Sequence, residues 1–217
     1  MSKIISLEDA AAKVEAGDRV MVGGFLACGS PEEILAKVLE NDVDNLTIIA
    51  NDTSFPDKGI GQLVASGNVK KVIASHIGTN PETGKKMHDG SMEVELVPQG
   101  TLAERIRIGG AGLGGFLTPT GVGTIVEEGK KVIESEGQEY LLELPLKADV
   151  ALVKAWKADK KGNLVYRKSA RNFNPLIAKA CETVIVEAEE IVEVGELDPD
   201  HVVTPSIFVD YIVRGEN

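Results

Sequence analysis

The chain has 217 residues, a formal net charge of −11 at pH 7 and only two cysteines. This length predicts one domain over residues 1–217, and the acidic balance argues against nucleic-acid or anionic-membrane partners, which require clustered lysine and arginine. Two cysteines without a Cys-x-x-Cys pair or a histidine cluster predict neither a disulfide framework nor a metal site. The N-terminus lacks the apolar stretch of a signal peptide and no apolar run could span a bilayer, so we expect a cytoplasmic protein.

Apolar, β-branched runs alternate with helical segments along the chain. The runs that predict buried strands are residues 19–22, 46–50, 69–74, 94–97, 150–153 and 184–186. Helices are predicted over residues 6–16, 30–40 and 100–108, and another begins at Asn174-Pro175. This alternation predicts an α/β fold with an open, mainly parallel sheet flanked by helices.

A different pattern occupies residues 123–144. Three short apolar runs, 124–126, 131–133 and 140–142, are separated by Glu-Gly pairs. This spacing predicts a small antiparallel insertion.

The junction after the first predicted strand, residues 23–31, reads Gly-Gly-Phe-Leu-Ala-Cys-Gly-Ser-Pro. Glycine permits sharp turns and close approach to a ligand, while Ser30, Pro31 and Glu33 fit the N-cap, N1 and N3 positions of a capping box. Ligands of open α/β sheets bind beyond the carboxyl ends of the strands. From the residues alone, a cleft wall and a plain strand-to-helix turn both remain open. Cys28 has no recognisable activating base nearby, which favours a small packing residue over a nucleophile.

Polar side chains follow three other predicted strands. Asn51 and Asp52 come directly after residues 46–50, His76 comes shortly after residues 69–74, and Gln99 follows Val97-Pro98. The Gln99 amide has two donors and an acceptor that could hold a carboxylate or thioester oxygen. The plain alternatives are an Asx turn, a structural histidine and a helix cap.

Seven glycines crowd into residues 109–123. Residues 110–115 match the dinucleotide pattern Gly-x-Gly-x-x-Gly, but the charged segment upstream indicates a helix end and Pro119 discourages a helix downstream, so a dinucleotide site is not expected. With Phe116 and Leu117 as apolar anchors, this crowding favours a loop that faces a ligand or another subunit.

The pattern in residues 23–31 resembles the first signature of the family I (3-oxoacid) coenzyme A transferases: Gly-Gly-Phe is followed after three residues by Gly29, and then by Pro31. The resemblance extends over almost the whole chain. Within the family, the chain is similar to the α subunits of the bacterial acetate/butyrate:acetoacetate CoA-transferases. Further resembling segments are residues 51–53, 60–61, 71–81, 97–102, 109–116, 118–123 and 170–175.

The resemblance implies a subunit of an enzyme that moves CoA between a short-chain acyl-CoA and a carboxylate such as acetate, butyrate or acetoacetate. The family's second signature, Ser-Glu-Asn-Gly with its nucleophilic glutamate, is absent from this chain. The resemblance therefore implies no catalytic nucleophile here, a β subunit that carries a glutamyl-CoA thioester, and a hetero-oligomer of α2β2 or larger composition.

Site residues are also implied by the resemblance. No permanently bound cofactor is expected, since CoA is the substrate. Substrate binding is expected at Asn51, Gln99, Gly114 and Gly115. CoA binding is expected at Gly24, Phe25, Leu26, Ala27, Cys28, Gly29 and Ser30.

Two alternatives remain beside this interpretation. A non-catalytic sensor of a small metabolite or sugar phosphate could use the same kind of cleft, and it would need no partner. A sugar-phosphate isomerase of similar fold would need its own general base in this chain.

Overall fold

The computed structural model describes residues 2–215 and shows an α/β architecture. In that part of the chain the helices are α1 (Leu7–Ala11), α2 (Glu32–Glu40), α3 (Gly61–Ser66), α4 (Pro81–Asp89), α5 (Gln99–Ala111) and α6 (Asn174–Ile177). The strands are β1 (Arg19–Val22), β2 (Leu46–Ile49), β3 (Val69–Ala74), β4 (Glu93–Leu96), β5 (Phe116–Thr118), β6 (Val132–Ser135), β7 (Gln138–Glu143), β8 (Ala148–Asp159), β9 (Leu164–Val165), β10 (Cys181–Val192) and β11 (Tyr211–Arg214).

The main sheet has β1 near its centre. Its strands follow the order β11-β10-β8-β1-β2-β3-β4, and every neighbouring pair runs parallel. The short β9 pairs antiparallel with β8. Because the long strands are parallel, their carboxyl ends lie at one edge of the sheet, where the loops that follow them can meet.

Alternate side chains of β1 enter two separate hydrophobic layers. Val20 and Val22 pack with residues of α1, α2 and α3 on one face, whereas Met21 packs with residues of α5 and α6 on the other. Successive side chains of a strand point to opposite faces. A strand covered on both faces is therefore apolar at every position, which explains why the sequence shows these strands as unbroken apolar runs.

The predicted α/β fold with a mainly parallel sheet is confirmed, and each predicted apolar run forms a strand. The first helix is shorter than the predicted residues 6–16 because it ends at Ala11. Beyond it, the Asp18 carboxylate accepts from the Glu15 N–H at 2.8 Å, a local bond that competes with continued helix. Within residues 2–215 no helix has the length and apolar content needed to cross a membrane.

The small antiparallel sheet is confirmed, but its predicted first strand at residues 124–126 is wrong. Ile125–Glu127 forms a 3-10 turn instead, because the Thr124 side chain accepts from the Val126 N–H and caps it. The third strand is β5, which pairs with β7, and β7 pairs with β6. Phe116 and Leu117 therefore belong to the sheet itself.

The predicted capping box at Ser30 is also wrong. Helix α2 begins at Glu32 without a local side-chain cap; instead, the Glu187 carboxylate on β10 accepts from the backbone N–H groups of Glu33 and Ile34 at 3.0 and 3.1 Å. Lys154 pairs with the other Glu187 oxygen at 2.9 Å. Burial raises the pKa of Glu187, while Lys154 acts in the opposite direction. An anion at a helix N-terminus is favourable, and here it comes from a distant strand.

Candidate functional site

The loop between β1 and α2, residues 23–30, is called the glycine loop below. Its centre is a two-residue turn, because the Phe25 N–H donates to the Cys28 carbonyl at 3.0 Å and the Cys28 N–H donates to the Phe25 carbonyl at 2.9 Å. Leu26 and Ala27 both have positive φ, 48° and 69°, the pattern of a type I′ turn. For residues with a side chain this conformation costs about 1–2 kcal/mol each. The turn is therefore held in place by its surroundings.

Asp52, at the end of β2, holds the turn from one side. The carboxylate is 5% exposed, and its Oδ2 accepts from the Leu26 N–H at 3.0 Å and from Asn51 Nδ2 at 2.8 Å. Its Oδ1 accepts from the Ser54 N–H at 2.7 Å. Three donors satisfy this buried carboxylate and fix the turn to the sheet.

The segment of residues 168–175 holds the loop from the other side. Asn174 Nδ2 donates to the carbonyls of Gly29 and Ala170 at 3.0 and 2.9 Å, and its Oδ1 accepts from the Lys154 N–H at 2.9 Å. A Cβ on Gly23 would overlap the Asn174 side chain, and one on Gly29 would lie 2.5 Å from the Ala170 carbonyl oxygen. These glycines are thus required by close packing.

Residues 168–175 are the part of the site that the sequence patterns missed. Nothing in their composition predicts contact with a loop almost 150 positions earlier. The one signal was the similarity of residues 170–175 to the transferase family.

A cavity of about 310 Å³ opens at the carboxyl edge of the sheet beside the turn. Four of the predicted site residues line it, namely Phe25, Leu26, Asn51 and Gln99, together with Asp52, Ser75 and His76. Gln99 Nε2 donates to Asn51 Oδ1 at 2.6 Å. Two predicted residues that are 48 positions apart thus meet as one neutral polar wall.

The remaining predicted CoA-contact residues of the glycine loop, residues 24 and 27–30, are not among those that line this cavity. Gly24, Ala27 and Ser30 border a very small void behind the turn. Cys28 is exposed, with its Sγ 3.6 Å from Ser169 Oγ, so its interpretation as a packing residue is wrong. Contact of residues 24–30 with CoA stays a prediction.

Gly114 and Gly115 follow helix α5 and are not among the residues that line the cavity. Gly114 is exposed, and a Cβ on Gly115 would meet the Glu143 carbonyl oxygen at 3.0 Å. Their role in substrate binding stays a prediction.

The dinucleotide pattern at residues 110–115 lies at the wrong end of a helix. It begins inside α5 and passes through Gly112, which caps the helix C-terminus with φ 69°. A dinucleotide site needs a helix N-terminus at this place, whereas the structure has there the helix end that the sequence predicts. No group of three or more His, Cys, Asp or Glu side chains suited to a metal ion occurs among residues 2–215.

Comparison with known proteins agrees with the resemblance. Residues 4–215 match the family described as Coenzyme A transferase. The chain is 58% identical to the acetate CoA-transferase subunit alpha of Escherichia coli K12, over 98% of this chain and 96% of that protein. It is 52% identical to the acetoacetyl-CoA:acetate/butyrate CoA transferase alpha subunit of Clostridium acetobutylicum, over 98% of both.

Solved structures share the fold. Glutaconate coenzyme A-transferase from Acidaminococcus fermentans superposes with a TM-score of 0.85 at 21% identity, over 99% of this chain and 76% of that chain. An acyl-CoA transferase from E. coli O157:H7, solved as a thioester complex with CoA, gives a TM-score of 0.88 at 21% identity, over 99% of this chain and 47% of that chain. The present chain thus spans about half the length of that enzyme. From the family match over residues 4–215 and the two relatives that share more than half of its sequence, the chain belongs to the coenzyme A transferase family.

Proposed function

We propose that this chain, acting as one domain over residues 1–217, is the α subunit of a CoA-transferase. The enzyme moves CoA between a short-chain acyl-CoA and a carboxylate such as acetate, butyrate or acetoacetate, and its nucleophilic glutamate belongs to a β subunit. The names of the related proteins support these substrates, since they describe alpha subunits of acetate and acetate/butyrate enzymes. We propose a cytoplasmic hetero-oligomer of α2β2 or larger composition.

The observation that carries the proposal is the cavity beside the glycine loop. At about 310 Å³ it lies at the small end of ligand pockets, which range over roughly 300–1,000 Å³. Its wall joins apolar Phe25 and Leu26 to the neutral amides of Asn51 and Gln99. This combination suits a short acyl chain that carries one polar oxygen.

The chain's own role is to bind and orient rather than to attack. In the proposed reaction the β-subunit glutamate attacks the acyl-CoA carbonyl, an acyl-glutamyl anhydride forms and CoA thiolate leaves. The thiolate then attacks the glutamyl carbonyl, which releases the first carboxylate and leaves a glutamyl-CoA thioester. A second carboxylate reverses these steps and leaves as the new acyl-CoA.

Water must be kept from both covalent intermediates, because either would be lost to hydrolysis. The rigid turn at Leu26 and Ala27 and the amide pair of Asn51 and Gln99 provide one wall of such a site. Gln99 Nε2 uses one of its two donors on Asn51. The second donor and the Oε1 acceptor make no hydrogen bond within residues 2–215, so they remain available to an acyl or carboxylate oxygen.

Reconstitution tests this function. The chain alone is expected to show no transfer of CoA from acetoacetyl-CoA to acetate, and activity should appear when it is mixed with a β subunit that contains Ser-Glu-Asn-Gly. The control is the same β subunit with that glutamate replaced by glutamine, which should restore assembly but not turnover. Full turnover by this chain alone would contradict the proposal. Tight metabolite binding without turnover in the reconstituted mixture would favour the sensor.

A further inference from the structure

Asn172 makes hydrogen bonds to both ends of the strained turn. Its Oδ1 accepts from the Gly24 N–H at 3.0 Å and from the Phe173 N–H at 2.7 Å. Its Nδ2 donates to the Cys28 carbonyl at 2.9 Å and to the Ser169 carbonyl at 3.0 Å. One half-buried side chain therefore joins the start of the turn, the end of the turn and its own segment.

The backbone of Asn172 is itself unusual. Its φ of 20° and ψ of −120° lie outside the regular helix and strand regions, and asparagine tolerates positive φ better than most residues with a side chain. Leu26 and Ala27 also have positive φ. Strained residues therefore lie on both sides of the same set of hydrogen bonds, and such clusters persist only where the surroundings determine the conformation.

We propose that Asn172 is a positioning residue for the acyl cavity. It does not line the cavity; it clamps the turn at Gly24 and Cys28, and thereby fixes Phe25 and Leu26, which do. This inference rests on the proposed function of that cavity. The amide is required because it offers an acceptor and two donors from one side chain, whereas an aspartate would turn a second oxygen toward the carbonyls of Cys28 and Ser169.

The role of Asn172 can be tested with less disturbance of the fold than the role of its neighbour Asn174. Asn174 is fully buried and bonds to the backbone of β8 at Lys154, so its loss would disturb the main sheet. Among residues 2–215, the side chain of Asn172 bonds only to the glycine loop and to residues 169 and 173. Its replacement should therefore loosen the turn while leaving the core intact.

The variant to test is Asn172→Gly, because glycine keeps the unusual backbone conformation accessible and removes only the amide. Asn172→Asp is the second variant, since it keeps the shape of the side chain. The matched control is Asn68→Ala, which removes an asparagine bonded to Asp42 and Ser66 at the amino end of β3.

The first measurement is hydrogen exchange of the isolated chain, which needs neither partner nor activity. In Asn172→Gly the amides of Gly24, Phe25 and Cys28 are expected to exchange about tenfold faster or more, with β3 amides unchanged. Asn68→Ala should leave the glycine loop protected. Unchanged protection of the loop in Asn172→Gly would overturn the clamp.

The second measurement is steady-state kinetics of the reconstituted enzyme. Both Asn172 variants are expected to lower kcat by about tenfold or more, while the KM for the free carboxylate changes much less and thermal melting stays close to that of the original chain. Loss of loop protection with unchanged kcat would overturn the positioning role and leave the proposed function standing. A reconstituted original enzyme without any turnover would instead refute the proposed function, and the exchange result would still decide the clamp.

Discussion

Glycine is concentrated in two places, the glycine loop at residues 23–30 and the segment at residues 109–123, and the two use it differently. In the glycine loop, Gly23 and Gly29 leave space for the backbone and side chains of residues 170–174. In the second segment, a Cβ on Gly109 would overlap the Leu146 carbonyl, and one on Gly110 would lie 2.7 Å from the Lys179 carbonyl oxygen. There glycine lets helix α5 pack closely against neighbouring loops.

The residues at positive φ separate the two segments more clearly. Within residues 109–123 every positive φ belongs to a glycine, for example Gly112 and Gly121, where it involves no steric penalty. In the glycine loop, Leu26 and Ala27 adopt it despite their side chains. A high density of glycine shows only that the backbone can adopt many conformations. A non-glycine residue held at positive φ indicates that neighbouring residues impose its backbone conformation.

The largest expected effect is at Gly29, whose φ is 77° and whose missing Cβ faces the Ala170 carbonyl. We expect Gly29→Ala to lower kcat/KM of the reconstituted enzyme by about a hundredfold or more, because the turn must move away from residues 170–174. The measurement is steady-state kinetics, with thermal melts to follow stability.

The control for this substitution is Gly112→Ala. Gly112 has a similar φ of 69°, but no atom of the described residues 2–215 lies within 4 Å of an added Cβ. The change should therefore lower the free energy of unfolding by about 1 kcal/mol and leave kcat/KM unaltered. Equal losses of activity in both variants would mean that the glycine loop is an ordinary turn.

Gln99 is expected to have the next largest effect. Gln99→Ala removes the amide beside Asn51, and loss of a hydrogen bond to a charged or polarised oxygen costs about 1.5–3 kcal/mol, or about tenfold to a hundredfold in kcat/KM. Both acyl donor and carboxylate acceptor should be affected, because one acyl cavity would serve both half-reactions. Steady-state kinetics with each substrate varied in turn measures the effect.

Two further variants sharpen this test. Gln138→Ala, at an exposed glutamine on β7, is expected to leave both substrates unaffected. The double variant of Asn51→Ala and Gln99→Ala should be no worse than the more damaging single variant if Asn51 acts by orienting Gln99. If Gln99→Ala keeps the kcat/KM of the original enzyme for both substrates, then Gln99 serves only as the first residue of helix α5.

Features of the fold that depend on local sequence could be predicted, whereas features that depend on distant residues could not. The buried strands were predictable because a strand covered on both faces is apolar throughout, and the carboxyl-edge location of Asn51 and Gln99 followed from the order of strand and loop. The cap of α2 was not predictable, since Ser30 fits a local box while the actual cap is Glu187 on β10. The strained φ values of Leu26 and Ala27 were equally hidden, because Asp52 and residues 172–174 impose them from elsewhere in the chain.

A smaller effect is expected at Gly110, where substitution should lower stability rather than activity. Gly110→Val would press against Lys179, and overpacking of this type typically costs about 1–3 kcal/mol. Thermal or urea unfolding should show this loss, whereas kcat per folded molecule should remain that of the original enzyme. A large fall in kcat with unchanged stability would move the second glycine segment into the functional site.

The smallest expected effect concerns the two cysteines, which probe exposure of the glycine loop directly. Cys28 is exposed, whereas burial raises the pKa of Cys181 to about 12, so almost none of the reactive thiolate of Cys181 exists near neutral pH. Iodoacetamide at pH 7.5 should therefore add one group to the folded chain, at Cys28, and none to a Cys28→Ser variant. Mass spectrometry of the intact protein and its peptides checks this, and labelling of Cys181 in the folded chain would contradict it.

The same label tests whether the glycine loop contacts CoA, as the family resemblance implies for residues 24–30. In the reconstituted enzyme, saturating acyl-CoA should slow alkylation of Cys28 by about threefold or more if the ligand lies against the loop, because a covered thiol is withdrawn from the reagent. The free carboxylate acceptor is the matched ligand control, since it should occupy the cavity beside Gln99 without reaching Cys28. Equal protection of Cys28 by both ligands would indicate a general closure of the site. If acyl-CoA gave no protection, Cys28 would not belong to the CoA site, and Phe25 and Leu26 would remain as the wall of the acyl cavity.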